Sequence, residues 1–185
     1  FFFHVPMWFS QFALITISLV YSIMYLRNSK MGNDFNAVEF ARTGTLMGCL
    51  GLLTGMLWSK YTWGAYWSND PKQTGAAIAI LIYFAYFILR NSITDIDKRG
   101  RVAAVYNVFA YFIYIPMIFI LPRMTESLHP GGMGDEGNPG LGGGSLDPSL
   151  KAIFWPGVLG WTLIGIWITT LRFRVRILEE KKQVA

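Results

Sequence analysis

The sequence predicts an all-α protein, a polytopic transmembrane helical bundle, on three observations. Hydrophobic residues make up 53% of the chain and charged residues only 15%, with a mean hydropathy of +0.38, a balance that belongs to membrane proteins. Five unbroken apolar runs occupy residues 5–26, 39–58, 74–90, 102–121 and 152–171. Cations collect between alternate runs, as in chains oriented across a bilayer.

At a rise of about 1.5 Å per residue, each run crosses or nearly crosses a hydrocarbon core about 30 Å thick. Backbone in lipid must satisfy its own hydrogen bonds, and these runs do not alternate, so helices are expected rather than a barrel. The first run opens behind His4-Val5-Pro6, where Pro6 suits a first helical turn because its missing N–H would have no partner there anyway. Arg27 and Lys30 close it. The second run carries Glu39 and Arg42 three residues apart at its inner end, a spacing that pairs them on one helix face while both reach the interface. It also holds Cys49, the single cysteine, expected as a small buried side chain with no internal disulfide.

Arg90, Lys98, Arg99 and Arg101 separate the third and fourth runs, Pro122 ends the fourth, and Arg172, Arg174, Arg176, Lys181 and Lys182 follow the fifth. These cationic regions are expected on the cytoplasmic side. The outer side then receives the start of the chain, residues 59–73 and residues 122–151. The chain opens at Phe1 and runs directly into an apolar stretch, so a sixth, upstream span is expected; the opening lacks the pattern of a signal peptide. No internal repeat is evident, and residues 1–185 read as one integral-membrane domain.

The net charge of +5 does not point to nucleic acid, because most cations sit at helix ends, where they orient the chain and meet anionic membrane lipid. Residues 131–144 contain eight glycines and Pro139 and read as a flexible outward loop. No Gly-Lys-Ser/Thr follows them, so they are not a phosphate-binding loop.

The chemistry-bearing segment is Trp63-Gly64-Ala65-Tyr66-Trp67-Ser68-Asn69-Asp70. If helical, it places Trp63, Trp67 and Asp70 on one stripe, with Gly64 leaving a side-chain-free patch beside it. Such a surface can stack on a flat macrocycle. On aromatic content alone the favoured reading is an interfacial belt of the kind found in unrelated membrane proteins. The only two histidines, His4 and His129, fall on the same expected side as this segment. Two neutral imidazoles approaching from opposite sides can ligate one iron. With no C-x-x-C-H sequence, a heme here would be held non-covalently.

These residues resemble the CcmC-type heme-handling proteins of cytochrome c maturation, along the length of the chain. The family signature W-G-x-x-W-x-W-D, the tryptophan-rich or WWD domain, matches the octapeptide above, with Asn69 in place of the third tryptophan. Leu53-Thr54-Gly55 and Trp58 precede it, and Asp70-Pro71-Lys72-Gln73-Thr74 follows in the place of Asp-x-Arg-x-Thr, giving a motif region of 58–74. Phe3-His4-Val5-Pro6 resembles the segment with the first outward histidine, Ser127-Leu128-His129 the segment with the second, and Leu146-Asp147-Pro148 the approach to the final helix.

The resemblance implies a six-helix protein of the bacterial inner membrane with heme b bound transiently on its periplasmic face. His4 and His129 would be the axial ligands, and Trp58, Trp63, Gly64, Trp67 and Asp70 part of the heme platform. Lys72 and Arg123 are candidates for pairing the propionates, against a reading as solvated loop cations; lysine at 72 keeps the charge but loses bidentate geometry. The implied role is delivery to the periplasmic heme chaperone CcmE, beside the ATP-binding-cassette proteins CcmA and CcmB and the small subunit CcmD, with no catalysis of its own. A CcsA-type cytochrome c synthase is the related alternative, although such synthases are longer and carry further histidines in their helices. A cytochrome b-type carrier would place histidines inside the spans, and none is there. A transporter or structural subunit without heme would explain the tryptophans and the glycine-rich loop equally well.

Overall fold

The computed structural model describes residues 2–129, 133 and 147–184. Its helices are α1 His4–Asn28, α2 Met31–Trp63, α3 Pro71–Asn91, α4 Ile96–Ile115, the short α5 Leu121–Met124, and α6 Pro148–Val184, with a π-helical turn Pro116–Ile120 joining α4 to α5. Five stretches are long and apolar enough to cross a membrane: α1, α2, α3, Ile96–Met124 and Pro148–Lys182. The protein is a polytopic transmembrane helical bundle, and each expected apolar run lies inside one of these stretches. The expected glycine-rich loop 131–144 falls, apart from Met133, outside the described residues.

Local chemistry sets the helix ends. Ser29 takes a left-handed conformation and its N–H returns to the Tyr25 carbonyl at 2.7 Å, a stop that Arg27 in the last turn supports through the helix dipole. Only Ser29 and Lys30 separate α1 from α2, so the two must fold back as an antiparallel hairpin. Theirs is the most extensive pairing in the fold. Asp70 and Asp95 cap α3 and α4, each side chain accepting from a backbone N–H of its first turn.

The α1–α2 hairpin closes along a stripe of glycines on α2. A Cβ on Gly44 would strike Ile15, one on Gly48 would strike Gln11, one on Gly51 would press on Trp8, and one on Gly55 would strike His4. The register runs from Ile15 down to His4 as α2 runs from Gly44 up to Gly55. Without a hydrophobic force between helices in lipid, close backbone approach of this kind supplies the packing. Buried polar side chains add hydrogen bonds between helices: Ser18 Oγ donates to the Ala37 carbonyl at 2.6 Å, and Asn107 Nδ2 donates to Ser18 and Ser22 at 2.8 Å.

The fourth span departs from a plain helix at Pro116. Proline has no N–H to give and crowds the preceding turn, and the chain answers with the π-helical turn Pro116–Ile120. Gly75 lets the Met117 carbonyl of that turn approach α3 closely. Cys49, expected buried, is only half-buried.

Chain direction puts His4, Trp63, Asp70 and His129 at one end of the bundle, and Arg27, Asp34, Arg90, Lys98, Arg172 and Arg176 at the other. At the cation-rich end the structure corrects one expectation. Glu39 does not reach the interface with Arg42: it is 2% exposed and bound by Arg42, Arg172 and Arg176 together. Nearby, Arg90 and Asp34 form a fully buried bidentate pair that the sequence had not singled out.

Breaking a buried pair strands the remaining charge and costs about 3–5 kcal/mol. Asp34→Ala is therefore expected to lower the thermal unfolding midpoint in detergent sharply, read by loss of helical circular dichroism. A midpoint equal to that of the wild type would mean that Arg90 contributes nothing through this pair.

Candidate functional site

The segment 63–70 is not helical throughout, and this overturns the expected tryptophan stripe. α2 stops at Trp63 because Gly64 adopts φ 81°, with its N–H bonded to the Lys60 carbonyl at 3.2 Å. That conformation is open to glycine and strained for other residues. Gly64 thus serves as the turn that ends the helix; it is not a bare patch beside a stripe. The chain then bends back: Ser59 Oγ donates to the Ala65 carbonyl at 2.7 Å, and Gln73 Oε1 accepts from the Ser68 N–H and Oγ at 3.0 Å. Asn69 also takes a left-handed conformation, φ 55°, and accepts from Trp67 Nε1 at 2.8 Å.

The tryptophans are consequently divided. α2 is 33 residues long, about 50 Å by helical rise against a core of about 30 Å, so it outreaches the hydrocarbon, and its last turns lie at the end of the bundle that carries His4. Trp58 and Trp63 stand on those turns, their rings 5.0 Å apart and edge-on. His129 packs against both, at 4.7 Å from Trp63 and 6.2 Å from Trp58. Trp67 sits in the loop, 37% exposed, and shares no ring contact with these three.

His129 is placed by Asp70, which is 3% exposed. Asp70 Oδ2 accepts from Ser127 Oγ at 2.8 Å and the Leu128 N–H at 2.7 Å; Oδ1 accepts from the Lys72 N–H at 2.9 Å and from His129 Nδ1 at 2.8 Å. A carboxylate only accepts, so Nδ1 carries the proton and Nε2 keeps its lone pair. Burial pushes the Asp70 carboxyl upward, but the Ser127 hydroxyl, His129 and the two backbone N–H groups outweigh it and hold it below the usual carboxylate range. Burial likewise pushes His129 below its ordinary 6.5, only partly offset by Asp70. The imidazole is neutral at neutral pH.

His4 reaches the same state by a different route. Its Nδ1 lies 2.8 Å from the Gly51 carbonyl, an acceptor only, so here too Nδ1 donates and Nε2 is left free. Gly55 leaves room for the ring: a Cβ there would sit 2.5 Å from His4 Cε1. Trp8, one turn along α1, meets the ring edge-on at 6.2 Å. His4 and His129 lie within electrostatic range of each other, which brings together residues 125 positions apart in the chain.

Two imidazoles with Nδ1 fixed by an acceptor and Nε2 open form the donor set of metal-ligating histidines, whose second nitrogen is held in this way. Among the described residues no three His, Cys, Asp or Glu side chains gather to hold an ion. The pair suits an iron whose remaining positions come from a macrocycle, and the flanking indoles suit the macrocycle's apolar face. Of the other candidates, Lys72 lies at the start of α3 within electrostatic range of His129, and Arg123 is exposed on α5. Sequence reading missed Gly51 and Gly55 as the seat of His4, Trp8 beside it, and Ser127 as a donor to Asp70. The glycine spacing on α2 was the available signal for the first two.

Residues 1–185 match the family model described as CcmC, heme exporter protein C. The chain is 29% identical over 182 residues to heme exporter protein C of Bradyrhizobium diazoefficiens, covering 97% of this chain and 66% of that protein. It is 26% identical over 144 residues to heme exporter protein C of Haemophilus influenzae, covering 77% and 56%. A cytochrome c biogenesis protein CcsA of Prochlorococcus marinus is 33% identical over 104 residues, 49% of this chain and 32% of that protein. The chain thus spans between half and two thirds of the length of the two heme exporter relatives.

Both lowered pKa values make the site sensitive to acid in the same direction. The unfolded chain binds more protons than the folded one below pH 6.5 at His129, and near and below the carboxylate range at Asp70, so stability falls as pH falls through each window. Titration of the His129 ring by NMR is expected to give a midpoint below 6.5. Asp70→Asn removes the attraction that raises it, so the midpoint is expected to fall further; a rise would contradict the Asp70 contact.

Proposed function

The chain belongs to the CcmC family, heme exporter protein C, and from that membership we propose that it handles heme for cytochrome c maturation. His4 and His129 are the axial ligands. The observation that carries this reading is the matched state of the two rings: each donates Nδ1–H, one to Gly51 and one to Asp70, and each keeps Nε2 for a metal. Heme is the cargo, and what it brings is an iron with two open axial positions on a flat apolar ring.

The residues of the chain do the rest. Trp58 and Trp63 present aromatic surface beside His129, Trp8 does so beside His4, and Trp67 lies at the exposed margin. Lys72 and Arg123 supply positive charge for the propionates. Gly64 shapes the turn and does not contact the ring. The site faces the periplasm, because the cation-rich end of the bundle is the cytoplasmic one, and the membrane is the bacterial inner membrane.

Binding is transient and non-covalent, as suits a delivery protein that presents heme b to the chaperone CcmE alongside CcmA, CcmB and CcmD and makes or breaks no bond itself. The partial likeness to CcsA keeps a synthase role as the second reading, favoured by the shared signature and weakened by the place of both histidines at helix ends, His4 as the first residue of α1 and His129 beyond α5.

The test is the visible spectrum of detergent-purified protein, oxidised and reduced. Wild type is expected to show low-spin heme, and His4→Ala and His129→Ala each to lose it. Asp70→Ala, which keeps both ligands but frees the His129 ring, is expected to retain heme about 10- to 100-fold less tightly. A colourless wild type after heme addition, or unchanged spectra in both histidine variants, would remove the reading.

A further inference from the structure

At the cation-rich end, α2 and α6 meet around a carboxylate with more partners than it can neutralise. Glu39 Oε1 accepts from Arg42 Nη1 at 2.7 Å and Arg176 Nη1 at 2.8 Å, and Oε2 accepts from Arg172 Nε at 2.7 Å. One negative charge faces three positive ones, leaving two uncompensated. Asp34, the other carboxylate within electrostatic range of Arg176, is already paired with Arg90.

Donors remain unused. Arg172 is engaged through Nε alone and its side chain is 46% exposed; that of Arg42 is 33% exposed and bonded through one nitrogen. The Nε of Arg176 is buried with no hydrogen-bond partner, its guanidinium lying 4.9 Å above the Phe35 ring. A buried orphan donor beside two half-free guanidinium forks calls for an oxyanion that accepts several N–H bonds at once. Phosphate has that geometry.

The surroundings identify where the phosphate comes from. Leu171, Val175 and Leu178 follow one face of α6 beside Arg172 and Arg176, and are 44%, 53% and 59% exposed. Apolar side chains on a spanning helix, next to unspent arginines where the span ends, offer acyl chains a surface and a headgroup its donors. We propose that the α2–α6 seam binds the phosphate of an anionic phospholipid, with Arg42, Arg172 and Arg176 as the donors. The site holds α6 against the α1–α2 hairpin by completing a charge cluster that the protein leaves unbalanced.

Native mass spectrometry of the protein in neutral detergent tests this, with phosphatidylglycerol, phosphatidylcholine and inorganic phosphate as the probes. Phosphatidylglycerol is expected to bind in preference to phosphatidylcholine. Arg172→Gln is expected to weaken it about fivefold, and the double variant Lys181→Gln/Lys182→Gln to change it less than twofold. Should Arg172→Gln lose helical content, Arg172→Lys keeps the ion pair with Glu39 and is expected to bind more weakly than wild type for want of the fork. Equal losses in Arg172→Gln and the lysine double variant would reduce the effect to diffuse attraction and overturn the site. Wild-type affinity in Arg172→Lys would overturn the fork geometry. Occupation by inorganic phosphate without lipid binding would overturn the lipid source.

Discussion

Asp70 takes four hydrogen bonds on one buried carboxylate, and they set where α3 begins and how residues 127–129 lie against that start. Two come from backbone N–H groups, at Lys72 and Leu128, and two from side chains, Ser127 and His129. The first starts α3; the others tie the chain beyond α5 to that start. Hydrogen bonds to an ionised group contribute about 1.5–3 kcal/mol each, and four of them exceed the several kcal/mol that burying a charge costs. The dipole at the N-terminus of α3 favours the same charge. A neutral Asp70 would lose the reason for His129 to hold its proton on Nδ1, and with it the direction in which Nε2 points.

The opposite histidine depends on something quite different. His4 is fixed by a main-chain carbonyl of α2, in the most extensive helix pairing of the fold, with glycines at 51 and 55 admitting the ring. One histidine is therefore fixed by helix backbone within two packed helices, whereas the ring of the other is oriented by a side chain, Asp70, with Trp58 and Trp63 packed against it. Rigid helix interiors place groups more precisely than segments fastened at one point. Releasing the His129–Asp70 contact leaves the α1–α2 pair intact, an asymmetry that suits the transient binding proposed above.

The bundle was legible because its signal is redundant: long unbroken apolar runs and clustered cations survive any error at single residues. The histidine pair was legible because histidine is rare here and both copies fall at or just beyond helix ends, His4 opening α1 and His129 following α5. Periodicity failed between Trp63 and Asp70 because eight residues cannot separate a helix from a turn, and the deciding feature was the backbone of Gly64 and Asn69. Glu39 read as half of a pair because Arg172 and Arg176 lie more than 130 residues away, beyond any local pattern. The Asp34–Arg90 pair escaped for the same reason.

The most direct measurement is electron paramagnetic resonance of the purified protein loaded with ferric heme and frozen near neutral pH. Two neutral imidazoles on one iron give a low-spin signal, and that signal is expected in the wild type and absent from His129→Ala. A high-spin signal in the wild type would mean that His4 and His129 do not share one iron.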